Sequence, residues 1–297
     1  EHRTNIWVTS EGKYSEIFGM DPPYENAGIV DSKGIEVGLD YSKKLGQVEF
    51  NVGGNFSLNK NKIKEMLEEP RQYANLVQTG NPYEQLYGLE AIGFFKDEAD
   101  IAASPTQNFS TVKPGDIKYR DVNGDNIIDA NDKVAIGYST TCPEIYYSLH
   151  LGAEWKGIGF YAMFQGTGNY SAVLDTKSMY WPLINNTNIS QYAYDNRWTP
   201  QNQNAKFPRL SSQSNANNYQ TSTLWLADRS FLKLRNLEVY YKLPASWLKK
   251  TKIVNAAKLY VRGIDLFSFD HIDENDPEAY GINPMTKSVA LGLSVTF

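Results

Sequence analysis

Residues 288–297 read S-V-A-L-G-L-S-V-T-F, and this stretch decides the fold class of the chain. Every second residue, from Val289 through Leu293 to Phe297, is apolar, and the residues between them are small or weakly polar. Because successive side chains of a β-strand point to opposite faces, the stretch predicts a strand with one apolar and one wettable face. A strand of about ten residues with this pattern is typical of the wall of an outer-membrane β-barrel.

The same alternation recurs along the chain. Apolar and polar residues alternate over 35–42 and 48–59, which predicts a long hairpin with a turn at 43–46. A second hairpin is predicted from 147–155 and 158–164, around the tight break at Lys156-Gly157. Further strands are predicted at 231–243 and 258–267, the first with a bulge near Arg235-Asn236. The sequence therefore predicts an all-β protein of long antiparallel strands.

The segments between the predicted hairpins are long and polar. Residues 60–140 and 167–228 are rich in Asn, Ser, Gln, Pro and Tyr, and only 63–69 is predicted to form a short helix. Short turns at one end of the strands and long loops at the other are typical of an outer-membrane barrel. A soluble β-sandwich has shorter strands and more even spacing.

Composition and motifs exclude several classes of protein. The net charge of −5 argues against nucleic-acid binding, and the apolar runs are far shorter than a transmembrane helix requires. Cys142 is the single cysteine, so an internal disulfide is not possible. The three histidines lack metal-ligand spacing, and His150 is predicted to line a lumen. Because the acidic residues at 270–276 are predicted to form a solvated loop, the sequence does not predict an enzyme.

One loop carries the ligand spacing of a calcium site. Oxygen-bearing side chains occupy loop positions 1, 3, 5, 9 and 12, and the carbonyl of position 7 completes the set: Asp121, Asn123, Asp125, Asp129, Asp132 and Ile127. Position 12 is Asp rather than Glu, and position 6 is Asn126 rather than Gly; Asn tolerates the left-handed backbone that this position needs. The spacing predicts a structural Ca²⁺. The alternative is a surface turn whose side chains cap their own backbone.

Two tryptophans in loop-like segments, Trp181 and Trp198, are candidates for contacts with a substrate or a lid. The alternative for both is packing within the loops.

Several motifs of the chain resemble the signatures of one family. Residues 114–125, P-G-D-I-K-Y-R-D-V-N-G-D, are similar to the P-G-D-I-K-Y-x-D-x-N-G-D signature of the SusC/RagA-type TonB-linked outer-membrane proteins. The segments R-W-T-P at 197–200, A-K-F-P-R-L at 205–210, F-L-K-L-R-N-L at 231–237 and G-L-S-V-T-F at 292–297 are also similar to it. These segments follow the order of the family and span most of the chain.

The resemblance implies an importer in the outer membrane of a Gram-negative bacterium. Such proteins have a barrel of about 22 strands with an N-terminal plug, take up glycans or peptides, and are energised by TonB through the plug. A SusD-like surface lipoprotein acts as a lid over the lumen. We therefore expect residues 1–297 to be the C-terminal portion of such a barrel, with long extracellular loops, a calcium-like site in loop 114–137, and no plug.

The chain is expected to need a partner, because about eight to ten strands leave two open edges in lipid. The expected partners are the remaining N-terminal part of the barrel with its plug, the lipoprotein, TonB and outer-membrane lipid. An alternative function is a soluble, calcium-stabilised, glycan-binding β module. That alternative predicts a polar outer strand face and solubility without detergent.

Overall fold

The structure is a computed structural model that describes residues 1–9, 19, 23–177, 179–183, 187–281, 283 and 285–297. Its strands, in chain order, are β1 (His2–Thr9), β2 (Tyr24–Leu45), β3 (Val48–Glu65), β4 (Tyr87–Gly88), β5 (Ala91–Phe94), β6 (Thr106–Gln107), β7 (Ile117–Tyr119), β8 (Ile127–Ile128), β9 (Val134–Ala135), β10 (Ile145–Trp155), β11 (Ile158–Gly168), β12 (Ser171–Val173), β13 (Leu226–Asp228), β14 (Phe231–Lys242), β15 (Ala256–Ile264), β16 (Ser268–Asp270) and β17 (Ser288–Thr296).

The helices are short. They are α1 (Glu98–Ala102), α2 (Gln191–Asp195) and α3 (Ala245–Leu248), with 3₁₀ turns at Ala74–Leu76, Ala130–Asp132 and Lys249–Thr251. Across the described part of the chain, no helix has both the length and the apolar character needed to cross a membrane.

A nine-stranded sheet dominates the described residues. Its order is β1-β2-β3-β10-β11-β14-β15-β17, and the short β16 pairs with one end of β14. Each strand from β3 to β17 in this order is antiparallel to its neighbour, and β1 is antiparallel to β2. The predicted antiparallel fold class and the strand predicted at the C-terminus are thus confirmed.

Residues 63–69 differ from the sequence prediction, whereas the bulge near Arg235 agrees with it. The helix predicted at 63–69 is wrong, because Ile63 belongs to β3 and 66–69 are not helical. The N–H of Ile63 donates to the carbonyl of Asn81 and its carbonyl accepts from Gly80, both at 2.9 Å. These bonds give the backbone partners in an extended conformation, whereas so short a helix would be marginal. The predicted bulge is confirmed, because Arg235 lies unpaired between Leu234 and Asn236, which face Phe164 and Met163.

The chain divides into two units. Unit 1 comprises residues 1–33, 60–142 and 171–227, and unit 2 comprises residues 34–59, 143–170 and 228–297. Unit 1 contains most of the two long polar segments predicted as loops; residues 178 and 184–186 of the second lie outside the described residues. These segments are ordered by short strand pairs, β4 with β9, β5 with β7 and β6 with β8.

Unit 1 has a buried aromatic core. Trp225 is fully buried, and Phe207 stacks on it with ring centroids 5.8 Å apart and an interplanar angle of 13°. Tyr219 and Trp181 also contact Trp225, at 6.1 and 6.0 Å between ring centroids. Such pairs stabilise a core beyond the area that they bury. Residues that read as loops in the sequence therefore form a packed domain.

Candidate functional site

The sheet of unit 2 has two chemically opposite faces. One row of directly paired residues crosses six strands and is apolar throughout: Phe50, Ala153, Phe160, Val239, Val261 and Leu291. The neighbouring row, which points to the other face, is mostly polar or small: Asn51, Gly152, Tyr161, Glu238, Arg262 and Ala290. A register shift of one residue would exchange these faces, so the pairing and the hydrophobic pattern specify the same register.

The apolar face is exposed to an unusual degree for large side chains. Leu291 is 74% exposed and Leu39 is 71% exposed. The other large apolar side chains exposed on this face are Ile35, Val37, Tyr41, Phe50, Val52, Phe56, Leu149, Ile158, Phe160, Val239, Leu259, Val261, Val289 and Leu293. A continuous apolar surface of this size on a water-soluble protein marks an interaction site or an aggregation hazard. A lipid-facing barrel wall has this character by design.

The polar face neutralises its own charges across the strands. Glu238 accepts hydrogen bonds from Lys258 Nζ and Arg262 Nε, both at 2.8 Å. One strand pair away, Tyr240 Oη donates to Glu154 at 2.8 Å, and Lys242 Nζ lies 2.6 Å from the same carboxylate. Opposite charges on neighbouring strands stabilise a sheet. The result is a polar face whose charges are paired across the strands.

The small residues of the polar face make room for tyrosine rings. Gly159 faces Tyr240, and Gly292 faces Tyr260, in directly paired positions. A Cβ on Gly159 would lie 2.3 Å from Tyr240 Cζ, and one on Gly292 would lie 2.2 Å from Tyr260 Cζ. A side chain larger than glycine is therefore incompatible with these ring positions.

The segment between β15 and β17 is bound to the wall by buried ion pairs. Lys233, only 3% exposed, donates to Asp276 at 2.6 Å and to Glu278 at 3.0 Å. Arg235, the bulged residue, donates to Asp265 at 2.9 Å and also to Glu278. The acidic loop predicted to be solvated is thus partly engaged with the sheet, through contacts that sequence separation concealed.

These ion pairs lower the pKa values of the two acidic groups, Asp276 and Glu278. Burial opposes ionisation of Asp276, but hydrogen bonds from Lys233 and from the Glu278 N–H outweigh it and hold the pKa of Asp276 below its usual range. Burial likewise opposes ionisation of Glu278, and the bonds from Arg235 and Lys233 hold its pKa low. Both groups are therefore stabilised as carboxylates in the folded chain.

The loop predicted to hold calcium is a network of side chains bonded to its own backbone. Asp121 accepts from the N–H groups of Gly124 and Asn126, at 2.7 and 2.9 Å. Asp125 accepts from the Ile127 N–H at 2.8 Å, and Asn123 accepts from the Asp125 N–H at 3.0 Å. Asn126 has the left-handed backbone expected at position 6, with φ of 63°.

The second half of this loop is a capped 3₁₀ turn. Asp129 and Asp132 form a capping box around Ala130–Asp132, and the fully buried Asp132 also accepts from the Val122 N–H at 2.9 Å. Within the described residues, no three acidic, His or Cys side chains converge on one point as metal ligands do. Asp132 Oδ1 already accepts from the N–H groups of both Val122 and Asn123. Each carboxylate oxygen of Asp121 accepts one N–H bond and keeps a further lone pair of the kind that a hard cation binds.

A buried polar cluster, which sequence reasoning missed, joins two of the family-like motifs, 114–125 and 205–210. Asp116 is fully buried and accepts from Asn215 Nδ2 at 2.9 Å and Asn218 Nδ2 at 2.8 Å. Arg209 donates to the same carboxylate at 3.1 Å, and the Lys113 N–H donates at 2.7 Å. The P-G-D-I-K-Y motif thus supplies the acceptor that binds distant loop segments together. The clustered asparagines at 215–218 were the signal in the sequence from which this buried cluster could have been predicted.

The two candidate tryptophans lie in unit 1. Trp198 is 7% exposed and packs over Gly115, where a Cβ would lie 2.3 Å from the indole ring. With φ of 88°, Gly115 also has a backbone that favours glycine. Trp181 is partly buried and contacts Tyr219, with ring centroids 5.0 Å apart. Both rings therefore order the loops, whatever else they contact.

The chain is similar to known proteins in both sequence and fold. No family model matches the chain. Its sequence is similar to three curated proteins of Formosa agariphila, the TonB-dependent receptors P26, P3 and P39. The identities are 26%, 23% and 25%, over 94%, 95% and 92% of this chain. Its fold is similar to the solved structure of the RagAB peptide transporter, with a TM-score of 0.76 over 100% of this chain at 21% identity. The chain is thus similar in sequence to TonB-dependent receptors over more than nine tenths of its length, and it shares the fold of the matching part of RagAB.

The relatives are much longer than the chain itself. The chain spans 30%, 30% and 29% of the three curated receptors and 32% of the RagAB chain. A second RagAB structure, of the peptide importer in its open-open state, gives a TM-score of 0.74 at 20% identity. The relatives carry the names of receptors and transporters rather than enzymes.

Proposed function

We propose that this chain forms part of the wall and the extracellular loops of an outer-membrane importer in a Gram-negative bacterium, energised through TonB. The observation that carries the proposal is the pair of adjacent rows across six strands, one apolar and one mostly polar. Such alternation is what a barrel wall between lipid and an aqueous lumen requires. The plug, the remaining strands and TonB are its partners, and we propose no catalytic role for it.

The soluble glycan-binding alternative requires a polar outer strand face. The outer face observed is apolar, with Leu291 and Leu39 largely exposed. No observation on the described residues favours the alternative.

The membrane proposal is tested with the full-length receptor. Its expression in a Gram-negative host should place it in the outer-membrane fraction, and it should require detergent for extraction. Its folded and heated forms should migrate differently on a gel, as stable barrels do. A receptor that stays soluble without detergent, and whose migration does not depend on heating, would overturn the proposal in favour of the soluble module.

The imported substrate is proposed to be an oligomer of the glycan or peptide class. The RagAB structures are titled as a peptide transporter and importer, which supports the peptide class for a protein of similar fold. A strain lacking the receptor should lose uptake of one fluorescent class, oligopeptide or oligosaccharide, and regain it with the gene restored. Unchanged uptake of both classes would contradict import of either.

A SusD-like surface lipoprotein is proposed to bind the outer loops, which include most of unit 1. Exposed apolar side chains in this unit are the natural contacts: Tyr83 is 60% exposed, Ile92 is 57% exposed and Tyr194 is 46% exposed. Trp181 and Trp198 are proposed to hold these loops in order at the mouth, and contact with substrate remains a second possible role.

The lipoprotein proposal is tested by copurification. Replacement of Tyr83, Ile92 and Tyr194 one at a time by Asp should reduce the yield of lipoprotein from an assembled receptor. Glu98→Gln, on the exposed helix α1, is the control and should leave the yield unchanged. Full yield with all three Asp variants would place the lipoprotein contacts elsewhere.

A structural Ca²⁺ is proposed in loop 114–137, held by Asp121, Asn123, Asp125, Asp129, Asp132 and the Ile127 carbonyl. The support is the oxygen-only donor set and the left-handed turn at position 6. Calorimetry on the full receptor should show one Ca²⁺ fewer per molecule for the double variant Asp121→Asn, Asp125→Asn than for the wild type. Glu98→Gln serves as the control. The same stoichiometry in wild type and double variant would refute the site.

A further inference from the structure

The connection between β14 and β15 is long, and all its charged side chains are lysines. Residues 243–255 contain three lysines and no acidic residue. The segment forms α3 and the 3₁₀ turn Lys249–Thr251, and Lys249, Lys250 and Lys252 are all exposed. Two large apolar side chains are exposed beside them, Trp247 at 60% and Ile253 at 68%. We call these thirteen residues the basic turn.

The basic turn lies at the same end of the sheet as the tight turns. Because consecutive strands are antiparallel, the connections of β2 to β3, β10 to β11 and β14 to β15 share one end. Lysine also lies at or beside the other two connections, as Lys43-Lys44 near the end of β2 and as Lys156 between β10 and β11. The Lys156 ammonium lies 5.1 Å from the Trp155 ring centroid, a cation–π distance. Lysine and aromatic side chains thus recur along this end.

The opposite end of unit 2 has the opposite charge. Residues 265–281, the first part of the connection from β15 to β17, contain six acidic residues and neither lysine nor arginine. Part of that acidity is neutralised by Lys233 and Arg235 of β14. The basic turn contains no acidic residue, so its own segment offers its lysines no counter-charge. A partner that is negatively charged and has an apolar layer beneath the charge would satisfy it.

We infer that the basic turn is a binding site for anionic phospholipid headgroups on the short-turn side of the membrane. Lys249, Lys250 and Lys252 bind the phosphates, while Trp247 and Ile253 insert at the boundary of the acyl chains. Exposed aromatic and aliphatic side chains flanked by lysine are the pattern of a segment that lies in the membrane interface. This inference rests on the proposed membrane location.

The test measures headgroup preference of the assembled full-length receptor. Native mass spectrometry compares the binding of phosphatidylglycerol and phosphatidylcholine to detergent-purified protein. The turn variant Lys249→Gln, Lys250→Gln, Lys252→Gln should bind phosphatidylglycerol about tenfold more weakly than wild type. The control variant Lys33→Gln, Lys62→Gln, Lys113→Gln removes the same charge from exposed sites of unit 1 and should leave the binding unchanged.

Three results would overturn the inference. They are an unchanged preference for phosphatidylglycerol in the turn variant, an equal loss in the control variant, and loss of a copurifying acidic protein from the turn variant without loss of lipid preference. The last result would assign the turn to a protein partner.

A second measurement does not depend on the lysine variants. Brominated phosphatidylglycerol should quench the fluorescence of Trp247 more than brominated phosphatidylcholine does, taken as the difference between wild type and Trp247→Phe. Equal quenching by the two lipids would contradict the inference. Heat-modifiable migration of the wild type is checked first; its failure counts against the membrane location, whereas headgroup preference alone judges the basic turn.

Discussion

The two units of this chain bury their apolar side chains in opposite ways. In unit 1, Trp225, Leu89 and Ile117 are fully buried, as in a water-soluble domain. In unit 2, Leu291 and Leu39 are more than 70% exposed, and the polar side chains face one another on the other side of the sheet. The comparison shows that the two units of one chain place their apolar side chains in opposite ways, one in a buried core and the other on an exposed sheet face.

The difference lies in how each unit satisfies its backbone. In unit 2, strand pairing supplies almost every backbone partner, so side chains are free to sort into two faces. In unit 1, short strands leave many backbone groups that side chains must satisfy. Asn217, for example, donates to the Ile117 carbonyl at 2.9 Å, and Gln107 accepts from the Tyr119 N–H at 2.7 Å. Buried polar side chains that bond to backbone groups are therefore a feature of the core of unit 1.

The largest expected effect is a cavity in the core of unit 1. Trp225→Ala removes a fully buried ring that stacks on Phe207 and should destabilise unit 1 by about 3–5 kcal/mol. Hydrogen exchange on the full receptor should show faster exchange across unit 1 and unchanged exchange in the strands of unit 2. Tyr83→Ala, at a site 60% exposed, is the control. Equal exchange in both variants would mean that unit 1 does not depend on this core.

The arrangement of unit 1 was beyond sequence reasoning for a physical reason. Its decisive contacts join residues far apart in the chain, such as Asp116 with Asn215, which are separated by 99 positions. No local periodicity of the sequence predicts such a contact, whereas the apolar residues in the strands of unit 2 recur every two positions. The sequence therefore predicted the strands and faces of unit 2 and the bulge at Arg235. It predicted a helix at 63–69 where the backbone is paired in an extended conformation.

The next effect tests the faces of unit 2. Leu293 lies on the apolar face and Ser294 on the polar face of β17, opposite Leu259 and Lys258. An Arg at Leu293 should destabilise the assembled barrel by about 2–4 kcal/mol if that position lies near the bilayer midplane, and an Arg at Ser294 by much less. Unfolding in denaturant, with the receptor in lipid, measures both. Similar losses at the two positions would contradict a lipid-facing outer row.

A smaller effect is expected where the acidic segment meets the wall of unit 2. Lys233→Met leaves Asp276 and Glu278 without their shared cation and should weaken the attachment of 265–281 by about 1.5–3 kcal/mol. Limited proteolysis of the assembled receptor within 265–281 measures the release. Lys258→Met, which removes a lysine from Glu238 instead, is the matched control and should not expose that segment.

The same attachment should depend on pH only in acid. The folded pKa values of Asp276 and Glu278 lie below those of free side chains, about 3.9 and 4.3. Their stabilising contribution is therefore complete above the unfolded values and is lost as the pH falls through the folded values. Proteolysis of 265–281 by an acid-stable protease should be equally slow at pH 7 and pH 5 and should accelerate only below about pH 4. Release between pH 7 and pH 5 would show that these carboxylates do not hold the segment.

The smallest effect concerns the tyrosine that covers a glycine on the polar face. Tyr260 lies over Gly292, and the ammonium of Lys258 lies 5.0 Å from the ring centroid. Tyr260→Ala should destabilise the barrel by about 0.2–1 kcal/mol, the usual worth of a cross-strand pair. Gly292→Ala should also destabilise it, because the new Cβ would lie 2.2 Å from Tyr260 Cζ and would displace the ring.

In the double variant, Tyr260→Ala with Gly292→Ala, the ring is absent. The added methyl group should therefore cost little, and the two effects on the free energy of unfolding should not add. A double-mutant cycle of unfolding free energies in lipid measures this coupling. Additive effects would show that the ring does not occupy the space over the glycine. The small residues of β17 would then serve only to limit the side-chain volume on the polar face.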